Sequence, residues 1–367
     1  MSRIEVIHVA ETIKGGIATY LRNILPLQAA RYGRDNVRVL IPAKQSAEID
    51  GVDVPIMSFP DYHNRLATAV AAARALRGQL REFAPAVVHI HSSFAGITCR
   101  SVLRWAPHRP RIVYCPHGWA FTRIGRAAPI AAWVERYLSR LCDAIVCVSA
   151  AERDAALPVG LPPSRLHVIL NALPDRDPPT PSPSSSDGPL RLLFMGRFDR
   201  QKGFDVLVAA LRQLKRTVEV DVFGESVLGE NTVDELPGCM RLHGWQPFSA
   251  VEPFLQRCDA VVMPSRWEGL PMSAIEAMRA GKAVIASHVG GLPELVEDDV
   301  TGCLVPPDDA AKLAQTLEHL QRNQMTKMGA MGRKRFLEKF RVEQCEAELA
   351  KLYDELLVSS HTGAGPR

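Results

Sequence analysis

The chain of 367 residues is too long for one ordinary hydrophobic core, so two domains are expected. Hydrophobic residues make up 47% and charged residues 23%, a composition that excludes a disordered or fibrous protein. The sequence has no run of about 18 apolar residues, and a predicted strand begins almost at the amino terminus, so neither a membrane-spanning helix nor a signal peptide is expected. Eight cysteines occur without the spacing of a zinc site, which favours reduced thiols and a cytoplasmic protein without a metal centre.

Charge is distributed unevenly around a net value of +4. Residues 1–173 carry 21 Lys+Arg against 12 Asp+Glu, and the remainder carries 23 against 28. The excess concentrates in residues 100–140, where eight arginines face a single acid, Glu135. This stretch favours an anionic partner such as a lipid phosphate or an anionic membrane surface, with an ordinary solvated face as the alternative. Nucleic acid is not expected, because no nucleic-acid-binding module is present.

Apolar strands alternate with helical stretches along most of the chain, which predicts parallel sheets with crossover helices. The predicted strands lie at residues 4–9, 37–41, 87–90, 112–115, 144–148, 167–170, 190–195, 218–223, 240–243, 260–263, 283–286 and 303–305. The predicted helices lie at residues 17–30, 66–83, 95–105, 127–141, 204–214, 272–280 and 310–320, with further helix to about residue 357. The segment 174–189 is rich in proline and serine and is expected to be an exposed linker.

The segment 264–281 reads P-S-R-W-E-G-L-P-M-S-A-I-E-A-M-R-A-G and contains two glutamates eight positions apart. It follows a predicted strand and contains the start of a predicted helix, so Glu268 lies at the carboxyl end of a strand and Glu276 about one turn into the helix. Ligands of open α/β sheets bind at that edge, where helix amides suit an anion. Carboxylates beside them can accept sugar or ribose hydroxyls. The alternative is two solvated glutamates.

Three further motifs follow predicted strands. In M-G-R-F-D-R-Q-K-G at residues 195–203, Arg197 and Lys202 can reach one diphosphate, and the flanking glycines permit close backbone approach. P-H-G at residues 116–118 places His117 at a strand end, where a neutral imidazole can hydrogen-bond a hydroxyl, although such a histidine is often structural. Gly15 and Gly16 precede a helix whose amides form a second candidate anion site.

These motifs together resemble those of retaining glycosyltransferases of the GT4 type, including those of bacterial surface-polysaccharide assembly. The segment 264–281 resembles the E-x7-E signature of the family, and residues 195–203 resemble its diphosphate-binding loop. The motifs at residues 15–16, 116–118 and 290–294 also match, in the order found in the family. The resemblance implies a GT-B fold, an α/β architecture of two Rossmann-like domains facing across a cleft.

The resemblance further implies an acceptor-binding domain at residues 1–173 and a nucleotide-sugar-binding domain at residues 190–340. A last helix within 341–367 is expected to cross back to the first domain or to remain an ordinary helix of the second. The implied activity is that of a hexosyltransferase, which moves a hexose from a UDP- or GDP-sugar to a glycan or lipid-linked acceptor. The residues assigned to catalysis or donor binding by resemblance are Gly15, Gly16, His117, Arg197, Lys202, Glu268, Gly269, Leu270, Met272 and Glu276.

Within this assignment, Arg197 and Lys202 bind the diphosphate, Glu268 contacts the sugar or first phosphate, and Glu276 accepts the ribose hydroxyls. Because cations and amides take the leaving charge, no metal is expected. Asp175-Arg176-Asp177 is formally a metal-binding D-x-D sequence, but it lies in the linker, far from any predicted strand end, and is expected to be solvated charge. A nucleotide-sugar 2-epimerase or a phosphorylase of the same fold, and a non-catalytic nucleotide-sugar-binding protein, are the alternatives. A dehydrogenase would need G-x-G-x-x-G after a strand, which the chain lacks.

Overall fold

The computed structural model describes residues 4–106, 108–122, 127–176, 188–225 and 235–359. The chain divides into two compact units. Unit 1 consists of Met1–Pro174 together with Val342–Arg367, and unit 2 consists of Asp175–Arg341. The first unit is therefore built from both ends of the chain, and the second from one uninterrupted stretch.

Unit 1 is built on a seven-stranded parallel sheet in the order β3-β2-β1-β4-β5-β6-β7. Its strands are β1 Val6–Ala10, β2 Val37–Pro42, β3 Ile56–Phe59, β4 Val87–His91, β5 Arg111–Cys115, β6 Ala144–Cys147 and β7 Leu166–Val168. Its helices are α1 Gly16–Tyr32, α2 Arg65–Phe83, α3 Ser93–Leu103, α4 Ala128–Leu138, α5 Ala150–Ala156 and α12 Val342–Val358. Strand order reverses between β1 and β4, which are neighbours in the middle of the sheet.

Helix α12 packs on α1 and β4 of unit 1. Arg31 Nε lies 2.6 Å from Glu346 Oε1, and the Tyr353 hydroxyl lies 2.7 Å from His89 Nδ1. Where the helix begins, the Val342 amide donates to the Leu173 carbonyl at 3.0 Å. The buried face of α12 includes Leu349, Leu352 and Tyr353. The apolar stripe of this helix therefore completes the core of unit 1.

Unit 2 has a six-stranded parallel sheet in the order β10-β9-β8-β11-β12-β13. Its strands are β8 Leu190–Met195, β9 Val218–Phe223, β10 Met240–Leu242, β11 Ala260–Met263, β12 Ala283–Ser287 and β13 Gly302–Val305. Its helices are α6 Phe204–Leu211, α7 Phe248–Arg257, α8 Met272–Arg279, α9 Leu292–Leu295, α10 Ala310–His319 and α11 Arg322–Lys339. Strand order reverses between β8 and β11, so the carboxyl ends of these two strands flank a ligand-binding position.

The predicted fold class, two parallel-sheet Rossmann-like domains, is confirmed. Each predicted strand is present, and no strand end is shifted by more than two residues. Strand β3 and helices α5, α7 and α9 are additional to the prediction. The helix predicted at residues 127–141 is shorter, because α4 ends at Leu138 and a 3₁₀ turn covers Ser139–Leu141. Within the described ranges, no helix combines the length and apolar character needed to cross a bilayer.

Candidate active site

Two loops of unit 2 meet at the reversal of strand order. The β8 loop (residues 196–203) follows β8 and contains Arg197 and Lys202. The β11 loop (residues 264–271) follows the neighbouring strand β11 and contains Glu268. Because parallel neighbours end at the same edge of a sheet, the fold brings the two predicted motifs together.

An ion pair joins the two loops. Lys202 Nζ lies 2.6 Å from Glu268 Oε1, and the Ser265 hydroxyl donates to the same oxygen at 2.8 Å. The side chain of Glu268 is 5% exposed and that of Lys202 is 18% exposed. A carboxylate removed from water to this extent needs a counter-charge and hydrogen bonds, and both are present here.

Further hydrogen bonds hold the loops against each other. Gln201 Nε2 donates to the Trp267 carbonyl at 3.2 Å, and the Arg266 amide donates to the Gln201 carbonyl at 2.8 Å. The Arg266 guanidinium forms a bidentate pair with Asp205 at the start of α6, at 2.8 and 2.7 Å. Hydrogen bonding from Arg266 lowers the pKa of the Asp205 carboxyl. The two loops therefore form one hydrogen-bonded assembly.

Arg197 remains accessible at this edge. Its Nε lies 3.0 Å from Asp199 Oδ2, and its Nη2 donates to Gln201 Oε1 at 3.0 Å. Asp199 also accepts from the Lys202 amide at 3.0 Å, so one carboxylate organises both cationic residues of the β8 loop. The Arg197 side chain is 44% exposed, which leaves the guanidinium available to an anionic ligand.

Two glycines allow the backbone contacts around the β11 loop. A Cβ atom on Gly203 would lie 1.9 Å from the Pro264 carbonyl oxygen, and one on Gly290 would lie 1.9 Å from the Glu268 carbonyl oxygen. Both have positive φ, +63° and +52°. The neighbouring Gly291 donates from its amide to the Gly269 carbonyl at 2.8 Å. The motif at residues 290–294 thus supports the backbone that carries Glu268.

Helix α8 carries the remaining predicted donor-site residues of unit 2. Leu270 and Met272 are buried, and Glu276 is 9% exposed one turn inside the helix. A solvated helix glutamate is therefore not what the structure shows. Burial lowers the pKa of the neighbouring Arg279, and the charge of Glu276 opposes that shift.

Unit 1 places Gly15, Gly16 and His117 at the carboxyl edge of its own sheet. Gly15 has φ +86° and precedes the first residue of α1, and a Cβ there would meet no atom of the described residues within 4 Å. His117 has φ +51°, which is uncommon outside glycine. Burial lowers its pKa to about 4, so its imidazole is neutral, and Nε2 lies 2.9 Å from His91 Nδ1.

Glu11 belongs to this edge and was missed by the sequence analysis. Its buried carboxylate accepts from Arg65 Nη2 at 2.6 Å, from the Ser92 hydroxyl and from the Ala95 amide at 3.1 Å. Ser92 precedes α3, so the carboxylate occupies the amino-terminal end of that helix. This potential anion site is therefore already filled by the protein.

Two clusters in unit 1 hold possible metal ligands within 4.8 Å of one another, namely His8, His89 and His91, and His91, Cys115 and His117. Both nitrogens of His8 and of His91 already hydrogen-bond to other side chains. Burial raises the pKa of Cys115 well above its usual value, which keeps the thiol protonated.

The D-x-D sequence in the predicted linker is only partly described. Asp175 lies 2.6 Å from Arg333 Nη2 in an ion pair of unit 2, so it is not the free solvated charge that the sequence analysis expected. Asp177 lies outside the described residues.

The described arginines of the stretch 100–140 do not form one basic surface. Arg100 is fully buried and pairs with Glu135 at 2.8 Å. Arg109 and Arg111 both pair with Asp143, at 2.9 and 3.2 Å. Arg123 and Arg126 lie outside the described residues. The exposed cations without an ion pair in the described part of the stretch are Arg104, Arg136 and Arg140.

Helix α4 has a different orientation from the one predicted. The helical period of residues 127–141 predicts one apolar face, formed by Ile130, Trp133, Val134, Tyr137, Leu138 and Leu141, opposite Arg136 and Arg140. In the structure, Glu135 and Leu138 are buried, whereas Ile130, Trp133 and Tyr137 are 66%, 68% and 54% exposed. The helix turns Glu135 inwards because Arg100 and the Tyr114 hydroxyl both bind its carboxylate. The aromatic side chains are consequently left on the surface.

Comparison with known proteins agrees with this architecture, since two parallel-sheet Rossmann-like units define the GT-B class of glycosyltransferases. A solved structure of HepE from Anabaena in complex with UDP superimposes with a TM-score of 0.78 at 20% identity, and covers 96% of this chain and 100% of that chain. The family model for Glycosyltransferase Family 4 matches residues 14–176, and the model for Glycosyl transferases group 1 matches residues 189–323.

The chain belongs to the GT4-type glycosyltransferases and is a transferase. An uncharacterized 41.2 kDa protein in the cps region of Klebsiella pneumoniae is 27% identical, with 85% of this chain and 89% of that protein aligned. The amylovoran biosynthesis glycosyltransferase AmsK of Erwinia amylovora is 33% identical over 37% of each chain.

Proposed function

We propose that this glycosyltransferase transfers a hexose, with retention of configuration, from a UDP-sugar to a glycan or lipid-linked acceptor in surface-polysaccharide biosynthesis. The observation that carries the proposal is the assembly of Arg197, Lys202 and Glu268 on two loops at the reversal of strand order in unit 2. The second of these loops leads into helix α8, which carries Glu276. Two cations suit a diphosphate, and two buried carboxylates suit sugar and ribose hydroxyls. The solved complexes of HepE with UDP and with UDP-glucose support UDP over GDP.

The proposed reaction depends on charge stabilisation by the protein. As the bond to the diphosphate breaks, Arg197, Lys202 and the amides of Gly269, Leu270 and Met272 stabilise the negative charge on the leaving group. The leaving phosphate oxygen takes the acceptor proton, so no separate carboxylate base is needed. Because the protein's cations fill the role of a metal, we also propose that transfer is metal-independent.

A thermal-shift screen tests the donor assignment. UDP, GDP, ADP and CMP are each added to the full-length protein, and a ligand that binds the folded state raises the Tm with its concentration. We expect UDP to give the largest shift and Glu276→Ala to reduce it. A larger shift with GDP would contradict the UDP assignment. Accumulation of an epimerised UDP-sugar without any acceptor would favour the 2-epimerase instead.

We also propose that the protein works at the inner face of the cell membrane, where a lipid-linked acceptor would be found. Helix α4 presents Ile130, Trp133 and Tyr137 to solvent, with Trp133 and Tyr137 stacked at 6.2 Å. Arg136 and Arg140 are exposed on the same helix and the turn after it. Aromatic side chains and arginines together suit the interface of an anionic membrane.

A further inference from the structure

A row of hydrogen-bonded side chains runs through unit 1 and ends at His117. His8 on β1 and His91 on β4 are both fully buried. Gln28 Oε1 lies 2.7 Å from His8 Nε2, and His8 Nδ1 lies 3.0 Å from His91 Nε2. His91 Nδ1 then lies 2.9 Å from His117 Nε2. The row is therefore continuous from α1 to the carboxyl edge of the sheet.

The imidazoles of the row are neutral. Burial lowers the pKa of His8 to about 4 and that of His117 to about 4. Burial also lowers the pKa of His91 well below its usual value, and the neighbouring imidazoles add to that effect. A neutral imidazole has one nitrogen that donates and one that accepts. The donor and acceptor assignment of one ring therefore fixes that of the next ring.

The orientation of the Gln28 amide sets the direction, because its oxygen faces His8 Nε2 and an amide oxygen only accepts. His8 Nε2 must therefore carry the hydrogen, and His8 Nδ1 must accept from His91 Nε2. By the same reasoning, His91 Nδ1 accepts from His117 Nε2. His117 is then left with a hydrogen on Nε2 and a lone pair on Nδ1. The ring of His117 is partly exposed, and its Nδ1 has no hydrogen-bond partner among the described residues.

The backbone of His117 has an uncommon conformation, which neighbouring contacts hold in place. Its φ of +51° is followed by φ +105° at Gly118. A side chain other than glycine keeps such a conformation only where neighbouring contacts hold it, and such positions concentrate at ligand sites. The bond to His91 and the edge of the Tyr20 ring, with centroids 5.2 Å apart, are contacts of this kind.

We propose that Gln28, His8 and His91 are positioning residues that fix His117 as the Nε2–H tautomer, with Nδ1 presented to a ligand hydroxyl as a hydrogen-bond acceptor. In this state His117 binds a group that donates a hydrogen and gives no hydrogen bond to a phosphate oxygen. The identification of that group as a sugar hydroxyl rests on the proposed function, whereas the tautomer does not.

The tautomer is tested by NMR on the full-length protein labelled with ¹⁵N-histidine. Long-range ¹H–¹⁵N correlations distinguish a protonated Nε2 from a protonated Nδ1, and His8→Asn and His117→Asn assign the signals. We expect His8, His91 and His117 all to carry the hydrogen on Nε2. A hydrogen on Nδ1 of His117 would overturn the proposal.

The coupling is tested by Gln28→Met, which removes the terminal acceptor at similar side-chain length. We expect His117 to become a mixture of tautomers. We also expect kcat/KM to fall by about threefold to tenfold, which corresponds to the net contribution of one hydrogen bond. Tyr20→Phe is the matched control, because Tyr20 touches His117 and its hydroxyl has no partner among the residues described. Tyr20→Phe should change neither the tautomer of His117 nor kcat/KM.

A pure Nε2–H tautomer of His117 in folded Gln28→Met would show that the row does not position His117. Unchanged turnover in His117→Asn would remove the ligand role while leaving the tautomer result intact. The donor assignment is checked separately by the thermal shift with UDP, so a failure of the proposed function is distinguishable from a failure of this inference.

Discussion

Lys202 and Glu268, which lie 66 residues apart in the chain, form a 2.6 Å ion pair where the β8 and β11 loops meet. The cation assigned to the diphosphate and the carboxylate assigned to the donor sugar are thus direct partners. A bound diphosphate would interact with the Lys202 ammonium, which already balances the charge of the buried Glu268 carboxylate. Lys202 therefore has a structural role as well as its proposed binding role, whereas the more exposed Arg197 pairs with Asp199, which is itself partly exposed.

The first prediction separates these two roles. Arg197→Ala and Lys202→Ala should each lower kcat/KM with a UDP-sugar by about 30- to 1,000-fold, because each removes a charge that stabilises the leaving diphosphate. Lys202→Ala should also cost roughly 3 kcal/mol in the free energy of unfolding, since it leaves Glu268 buried without a counter-charge. Arg197→Ala should change that free energy by less than about 0.5 kcal/mol. Urea unfolding and steady-state kinetics measure both quantities.

A double variant sharpens this test. Lys202→Ala combined with Glu268→Gln should regain much of the lost stability, because the uncompensated charge is gone, but it should not regain turnover. Near-normal turnover in both single variants would refute the assignment of these cations to the diphosphate.

The second prediction concerns the close backbone contact at Gly290. Gly290→Ala should destabilise the protein more than Gly51→Ala, although both glycines have positive φ. A Cβ at Gly51 would meet no described atom within 4 Å, so only the left-handed backbone costs energy there, about 1 kcal/mol. A Cβ at Gly290 would also displace the Glu268 carbonyl. Differential scanning calorimetry should show a loss of roughly 2–4 °C for Gly51→Ala and a clearly larger one for Gly290→Ala. Equal losses would mean that the contact is unimportant.

The third prediction is a loss of stability in mild acid. Burial lowers the pKa of His8 to about 4 and those of His89 and His91 well below 6.5. Between the unfolded pKa near 6.5 and the folded values, the unfolded chain binds protons that the folded chain does not. The contribution of these histidines to the free energy of unfolding is therefore fully present above the unfolded pKa and decreases as pH falls. The free energy of unfolding changes by up to about 1.4 kcal/mol per pH unit for each histidine.

Urea unfolding at pH 7 and near pH 5 measures this dependence. The exposed His63 provides the control, because His63→Asn should leave the slope unchanged. The same free energy of unfolding at both pH values would show that the buried imidazoles are already charged in the folded protein.

The fourth prediction tests the membrane proposal. The protein should float with anionic liposomes and be released by salt, because each cation near such a surface adds about 1 kcal/mol that salt screens. Arg136→Glu with Arg140→Glu should weaken binding, and so should Trp133→Ala. The matched control is Arg74→Glu with Arg77→Glu, which makes the same charge change on exposed positions of α2. Equal loss in both double variants would indicate a net-charge effect without a specific surface.

The fifth prediction is that transfer persists in EDTA. In the proposed reaction, Arg197, Lys202 and the amides near α8 supply the charge that a metal would otherwise supply. Assays of sugar transfer before and after chelation test this directly. Complete loss of activity, restored by added manganese, would show that the protein's own groups are not sufficient.

The fold was largely predictable because most strands are short apolar runs that the sheets bury. Strand β11, Ala260–Met263, is buried along its whole length, and its apolar residues identify it at once. Strand β3 was missed because it lies at a sheet edge, where Ile56 is 40% exposed and the apolar pattern is lost. Helix α7 was missed in part because it contains Pro253, which usually marks the end of a helix.

The candidate site was predictable only in part. Spacing placed Glu268 at a strand end, but its pairing with Lys202 depends on β8 and β11 being neighbours, which no local pattern encodes. The buried histidines of unit 1 had a visible signal, since His89 and His91 lie two positions apart on one strand and therefore share a face. His8 lies opposite His89 in the register of β1 and β4, a pairing that is set by the tertiary fold.

The return of α12 to unit 1 affects the order in which the chain can fold as it is synthesised. Unit 2 is contiguous, so all of it leaves the ribosome before the last helix does. Unit 1 is made first but must wait for Glu346 and Tyr353, the partners of Arg31 and His89. Domains generally fold as units during synthesis, so the earlier half of this protein is completed last. Until then, it exposes the surface that α12 will cover.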